Sequence, residues 1–182
     1  MNHLRIISQT KKWIVDVVVG CNFCPFALRE VKKETIYFEV VDGNKEAVLQ
    51  ALSAALAKMN MQVEMETTFL ILPQHFARFS DYLKLVQKAE ILIKKSGYEG
   101  IYQVASFHPD YLFWGSRMND AANYTNRSPY PMLHILREES VSRAVDSYPH
   151  AEKIPQKNIA FARQKGLAYM QRLLAACMEI KD

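Results

Sequence analysis

The sequence predicts an α/β or α+β chain, with a mixed sheet of about four strands in the order β-α-β-α-β-long loop-β-α and helices flanking it at both ends. Three observations carry this reading. Residues 35–41, 67–72, 101–106 and 132–136 form short runs rich in β-branched and aromatic side chains. Apolar residues recur at helical spacing between the first three runs. The stretch 107–131, FHPDYLFWGSRMNDAANYTNRSPYP, has no period at all. With 182 residues, 49% of them hydrophobic and 11% aromatic, the expectation is one globular domain over 1–182. A chain of this size buries roughly 70% of the surface its unfolded form exposes.

Each element follows from local chemistry. Leu4, Ile7, Ile14, Val17 and Val18 lie at helical spacing, with Gly20 as a stop, although the β-branched run 13–19 also suits a strand. Pro25 favours the first turn of a short helix running to Lys33, with Cys24 at its cap. Asp42, Gly43 and Asn44 turn the first strand into a helix striped by Val48, Leu52, Ala55, Leu56 and Met59. Pro73 closes the second strand, and Phe79, Leu83, Val86 and Ile93 mark the helix after it, ended near Gly97. A short helix through Val141 and Val145 follows the fourth strand, and Pro149 and Pro155 bound a connector. The last helix starts at Ile159 and runs to Ile180, with Gly166 inside its apolar stripe as a point of close packing. Right-handed crossovers make the first three strands parallel if they share one sheet.

Composition excludes several classes. The 23 Lys and Arg stand against 19 Asp and Glu, a net charge of +4, and the acids are scattered through every segment. A dedicated nucleic-acid protein would gather its basic residues on one face. No apolar run approaches the ~20 residues of a membrane-spanning helix, and Asp16 spoils the N-terminal run as a signal peptide. Three cysteines, Cys21, Cys24 and Cys177, make a disulfide framework improbable and favour a cytoplasmic chain. The six glycines form neither a dinucleotide fingerprint nor a phosphate-cradling loop, and no cofactor is expected.

The aperiodic stretch holds the candidate chemistry. His108 and Asp110 leave the third strand at its carboxyl end, where ligands sit in open α/β sheets. Arg127 offers a planar fork of donors for a carboxylate or phosphate. Asp120, Asn123, Asn126, Ser128, Tyr130 and, on the fourth strand, His134 complete the candidate substrate-binding set. The bland alternative is an ordered cap whose polar side chains satisfy their own loop backbone. Cys24 is a candidate nucleophile, because a thiol at a helix start meets unsatisfied amides that favour thiolate. Near His108, with Asp110 orienting the ring, it would complete a Cys-His-acid arrangement. The competing reading of Cys24 is a small buried hydrophobe beside Phe23 and Phe26. Cys21, Cys24, His108 and His134 also have the ligand types of a zinc site, although one CxxC and two remote histidines are a weak pattern.

The segments GCNFCPFA (20–27), QVASFHPDY (103–111) and NRSPYPMLHILRE (126–138) resemble a family of uncharacterised single-domain proteins, domain of unknown function 1415. The resemblance covers most of the chain and implies no assigned reaction. Against the family pattern Cys24 matches, whereas Cys21 stands where leucine is usual, and Leu112 and Asn119 replace a glutamine and an acid. The resulting expectation is an enzyme acting on a small anionic or polar metabolite. Arg127 and the asparagines would hold the substrate, and His108 and Asp110 would move protons. A non-catalytic ligand- or partner-binding chain using the same loop is the alternative. A homodimer through the first or last helix is the candidate assembly.

Overall fold

The computed structural model describes residues 2–180, and its sheet has four strands in the spatial order β1-β2-β4-β3. These are β1 (Ile36–Val40), β2 (Thr67–Ile71), β3 (Tyr102–Phe107) and β4 (Met132–Arg137). β1 pairs parallel with β2, and β4 pairs antiparallel with both β2 and β3. The first three strands therefore point the same way, as expected, with β4 inserted between β2 and β3. Their carboxyl ends lie at one end of the sheet.

Among the described residues, seven α-helices surround the sheet: α1 (His3–Trp13), α2 (Ala27–Lys33), α3 (Lys45–Met61), α4 (Phe79–Lys95), α5 (Glu138–Asp146), α6 (Ile154–Lys165) and α7 (Leu167–Ala176). The crossovers α3 and α4 cover the same face, as right-handed connections stepping in one direction require. There Val48, Leu52, Leu56, Tyr82, Leu85 and Ala89 pack with Leu70, Leu133 and Ile135. The other face holds Ile6, Trp13, Val17, Phe69, Ile71, Met132, Ala162 and Met170, from the terminal helices and the sheet. Strand side chains alternate between these layers, and β2 is buried along its whole length.

Several local readings change. The first apolar run is helical throughout, but Ile14–Val19 winds as a π-helix continuing α1. The amide of Gly20 donates to the Val15 carbonyl five residues back, at 2.9 Å. A Cβ at Gly20 would lie 2.3 Å from the Asp16 carbonyl oxygen, so only glycine fits the wider turn. Ile6, Gln9, Thr10, Trp13, Ile14 and Val17 are buried along this segment, whereas Leu4 is exposed. On α4 the buried stripe is Tyr82, Leu85, Val86, Ala89 and Ile93, and Leu83 faces outward. α2 begins at Ala27 after Phe26, so Cys24 precedes the cap instead of forming it.

The expected last helix is two. Gly166 adopts φ +85° and ψ 159°, a conformation that a helix cannot continue through, and α6 ends there while α7 starts. Pro155 lies in the first turn of α6, which begins at Ile154, earlier than expected. No helix among the described residues is long and apolar enough to cross a membrane.

Candidate functional site

The stretch after β3 is ordered by its own polar side chains. His108 is completely buried, its ring beside Phe79 and Tyr82 with centroids 5.2 and 5.1 Å away. Its Nε2–H donates to the Phe76 carbonyl at 2.8 Å, and its Nδ1 accepts the Asp110 amide at 2.9 Å. This arrangement fixes the tautomer. Desolvation lowers the histidine pKa, against the smaller opposing effects of the Phe76 carbonyl and the Asp110 charge. The Asp110 main chain, not its carboxylate, meets the ring. A ring committed at both nitrogens has no lone pair or proton to spare for a substrate.

The binding candidates are similarly committed. Asn123 is completely buried; its Oδ1 accepts the Phe113 amide at 3.1 Å and its Nδ2 donates to the Arg117 carbonyl at 2.8 Å. Arg127 donates from Nε to the Tyr111 carbonyl and from a terminal nitrogen to that of Met118, at 3.2 and 3.0 Å. Its guanidinium lies 4.6 Å from the centre of the Tyr124 ring. Asn126 donates to the Ser106 carbonyl at 3.3 Å, and Ser128, fully buried, donates to the Tyr130 carbonyl at 2.6 Å. The Tyr130 hydroxyl donates to Gln9, whose amide reaches the Met178 carbonyl at 2.8 Å.

Asp120 caps the 3₁₀ turn Ala121–Thr125 through the Ala122 amide and forms a fork with Arg163 of α6, at 3.1 and 2.7 Å. Arg163 is the main reason its carboxyl falls to about 2. His134 stacks on Phe69 with centroids 3.8 Å apart, and desolvation pushes it down to about 3. The Thr67 hydroxyl donates to the Ile135 carbonyl at 2.7 Å and so accepts the proton on His134 Nε2.

The structure brings His108, Asn123, Asn126 and Arg127 into one network through the loop backbone. Cys24 stands outside it, and no contact with His108 joins the two among the described residues. Burial raises the Cys24 thiol and outweighs the Phe26 and Ala27 amides, which act in the opposite sense. Cys21 and Cys177 are buried, and burial chiefly pushes Cys177 up to about 11. Among the described residues, no three His, Cys, Asp or Glu side chains gather as a metal-binding group, so Cys21, Cys24, His108 and His134 do not assemble a zinc site.

A second set of polar groups lies at the same end of the sheet. A groove of about 430 Å³ opens where β1 passes into α3 and β2 into α4, lined by Asn44, Lys45, Gln74, His75, Phe76 and Arg78, with Ala77 and Asp81 completing it. The Asn44 side chain caps α3 through the Ala47 amide at 3.1 Å. Arg78 is the N-cap of α4 without a side-chain cap, and its carbonyl accepts the Asp81 and Tyr82 amides at 3.1 Å. Lys45 pairs with Glu46 at 3.0 Å and Asp81 with Lys84 at 3.0 Å, whereas Arg78 is exposed and unpaired among the described residues. Between His75 and Arg78, Phe76 holds φ +63°, a strained backbone for an aromatic residue, and its carbonyl is the one His108 grips.

Sequence reasoning passed over His75, Lys45 and Arg78 because they come from two segments some 30 residues apart. The signal was present: the rule that pointed to the end of β3 applies equally to the ends of β1 and β2.

The family described as Protein of unknown function (DUF1415) matches residues 5–172, from α1 into α7. The chain belongs to this family. No curated protein and no solved structure matches it. The matched span includes the sheet, the 108–131 loop and the groove. It also includes the GCNFCPFA segment, whose Gly20 is demanded by the π turn described above.

Proposed function

We propose that this chain binds a small anionic metabolite in the groove at the carboxyl ends of β1 and β2, and that the loop 108–131 frames that site. The observation that carries the reading is the convergence of Lys45, His75 and Arg78 on one 430 Å³ groove at two adjacent helix starts. Cationic side chains set at the positive ends of two helix dipoles favour a carboxylate or phosphate. His108 serves the site indirectly: its hydrogen bond holds the Phe76 carbonyl in the segment that also carries His75 and Arg78.

Binding is preferred to proton transfer at His108 because both of its ring nitrogens are engaged by main chain. If the groove also supports catalysis, the imidazole available there is that of His75. Titration calorimetry with inorganic phosphate and citrate tests the reading. Arg78→Ala is expected to weaken binding roughly 10- to 100-fold, the loss of a charged hydrogen bond. Arg127→Ala, if folded, leaves it unchanged. Equal affinity in wild type and Arg78→Ala, or no heat with either anion, overturns the proposal.

A further inference from the structure

We propose that copies of this chain associate head to tail, the Trp114 projection of one seating in the apolar groove beside α1 and β1 of the next. This inference is independent of the anion groove.

The projection is built to stand away from the body of the chain. Ser116 donates its amide to the Phe113 carbonyl at 3.0 Å, closing a turn in which Gly115 supplies φ +74°. Asn123 clamps the two legs at Phe113 and Arg117, and Arg127 clamps them one step lower at Tyr111 and Met118. At the tip the Trp114 side chain is fully exposed, with Met118 71% exposed and Arg117 exposed beside it. Among the described residues, Trp114 has no ring contact or side-chain hydrogen bond. A wholly exposed tryptophan on a stapled mount has little ordering entropy left to lose, and tryptophan is among the residues that dominate interface energetics.

The receiving surface is of matching character. A groove of about 450 Å³ lies between α1, its π extension, α2 and β1, floored by Ile14, Val15, Val31, Ile36 and Phe38. Glu30 and Glu34 stand on its rim, with Lys11 over the Phe38 ring at 5.3 Å. The Glu34 carboxylate is unpaired among the described residues. Glu30 is already engaged by Thr35 and Arg29, so Glu34 is the carboxylate left to meet Arg117 when the indole lies on the apolar floor. Charge complementarity of this kind selects the occupant and its orientation.

The groove borders β1 and the projection follows β3, the opposite edges of the sheet. The contact is heterologous, so it links one copy to the next.

The test is sedimentation velocity across a concentration series of the full chain and two surface variants. Trp114→Ala removes the knob, and Val15→Lys puts an ammonium in the groove at a residue 47% exposed. Each variant alone is expected to associate at least roughly 30-fold more weakly than wild type, the loss typical of a hot-spot residue. An equimolar mixture should form a one-to-one complex, because one variant keeps its groove and the other its knob. In wild type, iodide quenching of the exposed Trp114 should fall as concentration rises, while the buried Trp13 stays silent. A wild-type chain that stays monomeric, variants that associate normally, or a mixture without the complex each overturn the proposal.

Discussion

His108 donates its Nε2–H to the carbonyl of Phe76, 2.8 Å away, and Phe76 is held at φ +63°. A buried imidazole thus fixes a strained residue at the centre of the 74–78 segment, which lines the groove between the starts of α3 and α4. His108→Ala leaves the Phe76 carbonyl and the Asp110 amide without partners and opens a cavity beside Tyr82 and Phe79. The expected cost is about 3–5 kcal/mol in urea unfolding. Amide resonances of residues 74–80 should move most. A loss under about 0.5 kcal/mol would remove His108 as the pin of this segment.

Gly20 is required by space, not by its φ of −61°. Gly20→Ala drives a Cβ into the Asp16 carbonyl, 2.3 Å away, so the π turn must rewind or the chain must shift. Overpacking of this kind costs about 1–3 kcal/mol. Gly97→Ala is the control, since its added Cβ meets nothing within 4 Å and only the φ of +78° is strained. The thermal midpoint of Gly20→Ala should fall further than that of Gly97→Ala; the reverse order would show that the π turn accommodates the methyl.

Cys24 sets two opposed effects against each other, and burial is the larger. The Phe26 and Ala27 amides favour thiolate, but desolvation is larger and raises the pKa. Iodoacetamide labelling, followed by mass spectrometry against pH, should give a midpoint above the ~8.5 of a free thiol. His108→Ala should not lower it. A midpoint below that of a free thiol would restore Cys24 as a nucleophile.

The strands were legible because β-branched and aromatic runs are local signals, and all four appear where the sequence places them. The insertion of β4 between β2 and β3 was not, since strand order depends on pairings such as Phe69 with His134, which are remote in the chain. Gly166 could be read as a packing point or a break from spacing alone, and its backbone angles decide for the break. The loop residues could be singled out, but residue type alone does not show whether Asn123 or Arg127 faces a ligand or a neighbouring carbonyl. Both face carbonyls, and Asn123 also accepts an amide. The bland reading of the loop as a self-satisfied cap describes that geometry.

His134 gives stability a pH dependence whose sign is set by burial. Stacked on Phe69 and bonded to Thr67, it is pushed down to about 3, well below the ~6.5 of an unfolded-chain histidine. Above pH 6.5 neither state takes the proton, and its contribution is fully present. As pH falls below 6.5 the unfolded chain binds a proton that the native state refuses. Stability is therefore lost at up to about 1.4 kcal/mol per pH unit until the folded value is reached. His108, also lowered by burial, adds with the same sign. Asp120, held at about 2 chiefly by Arg163, contributes stability that is present above its ordinary range and lost only as pH falls from about 4 toward 2. The interval from pH 6.5 to 4.5 thus isolates the histidines from that pair. Urea unfolding of wild type and His134→Gln across this interval should show a slope shallower in the variant by about 1.4 kcal/mol per pH unit. Parallel slopes would mean that His134 takes up its proton in the native state and that its stack on Phe69 tolerates the charge.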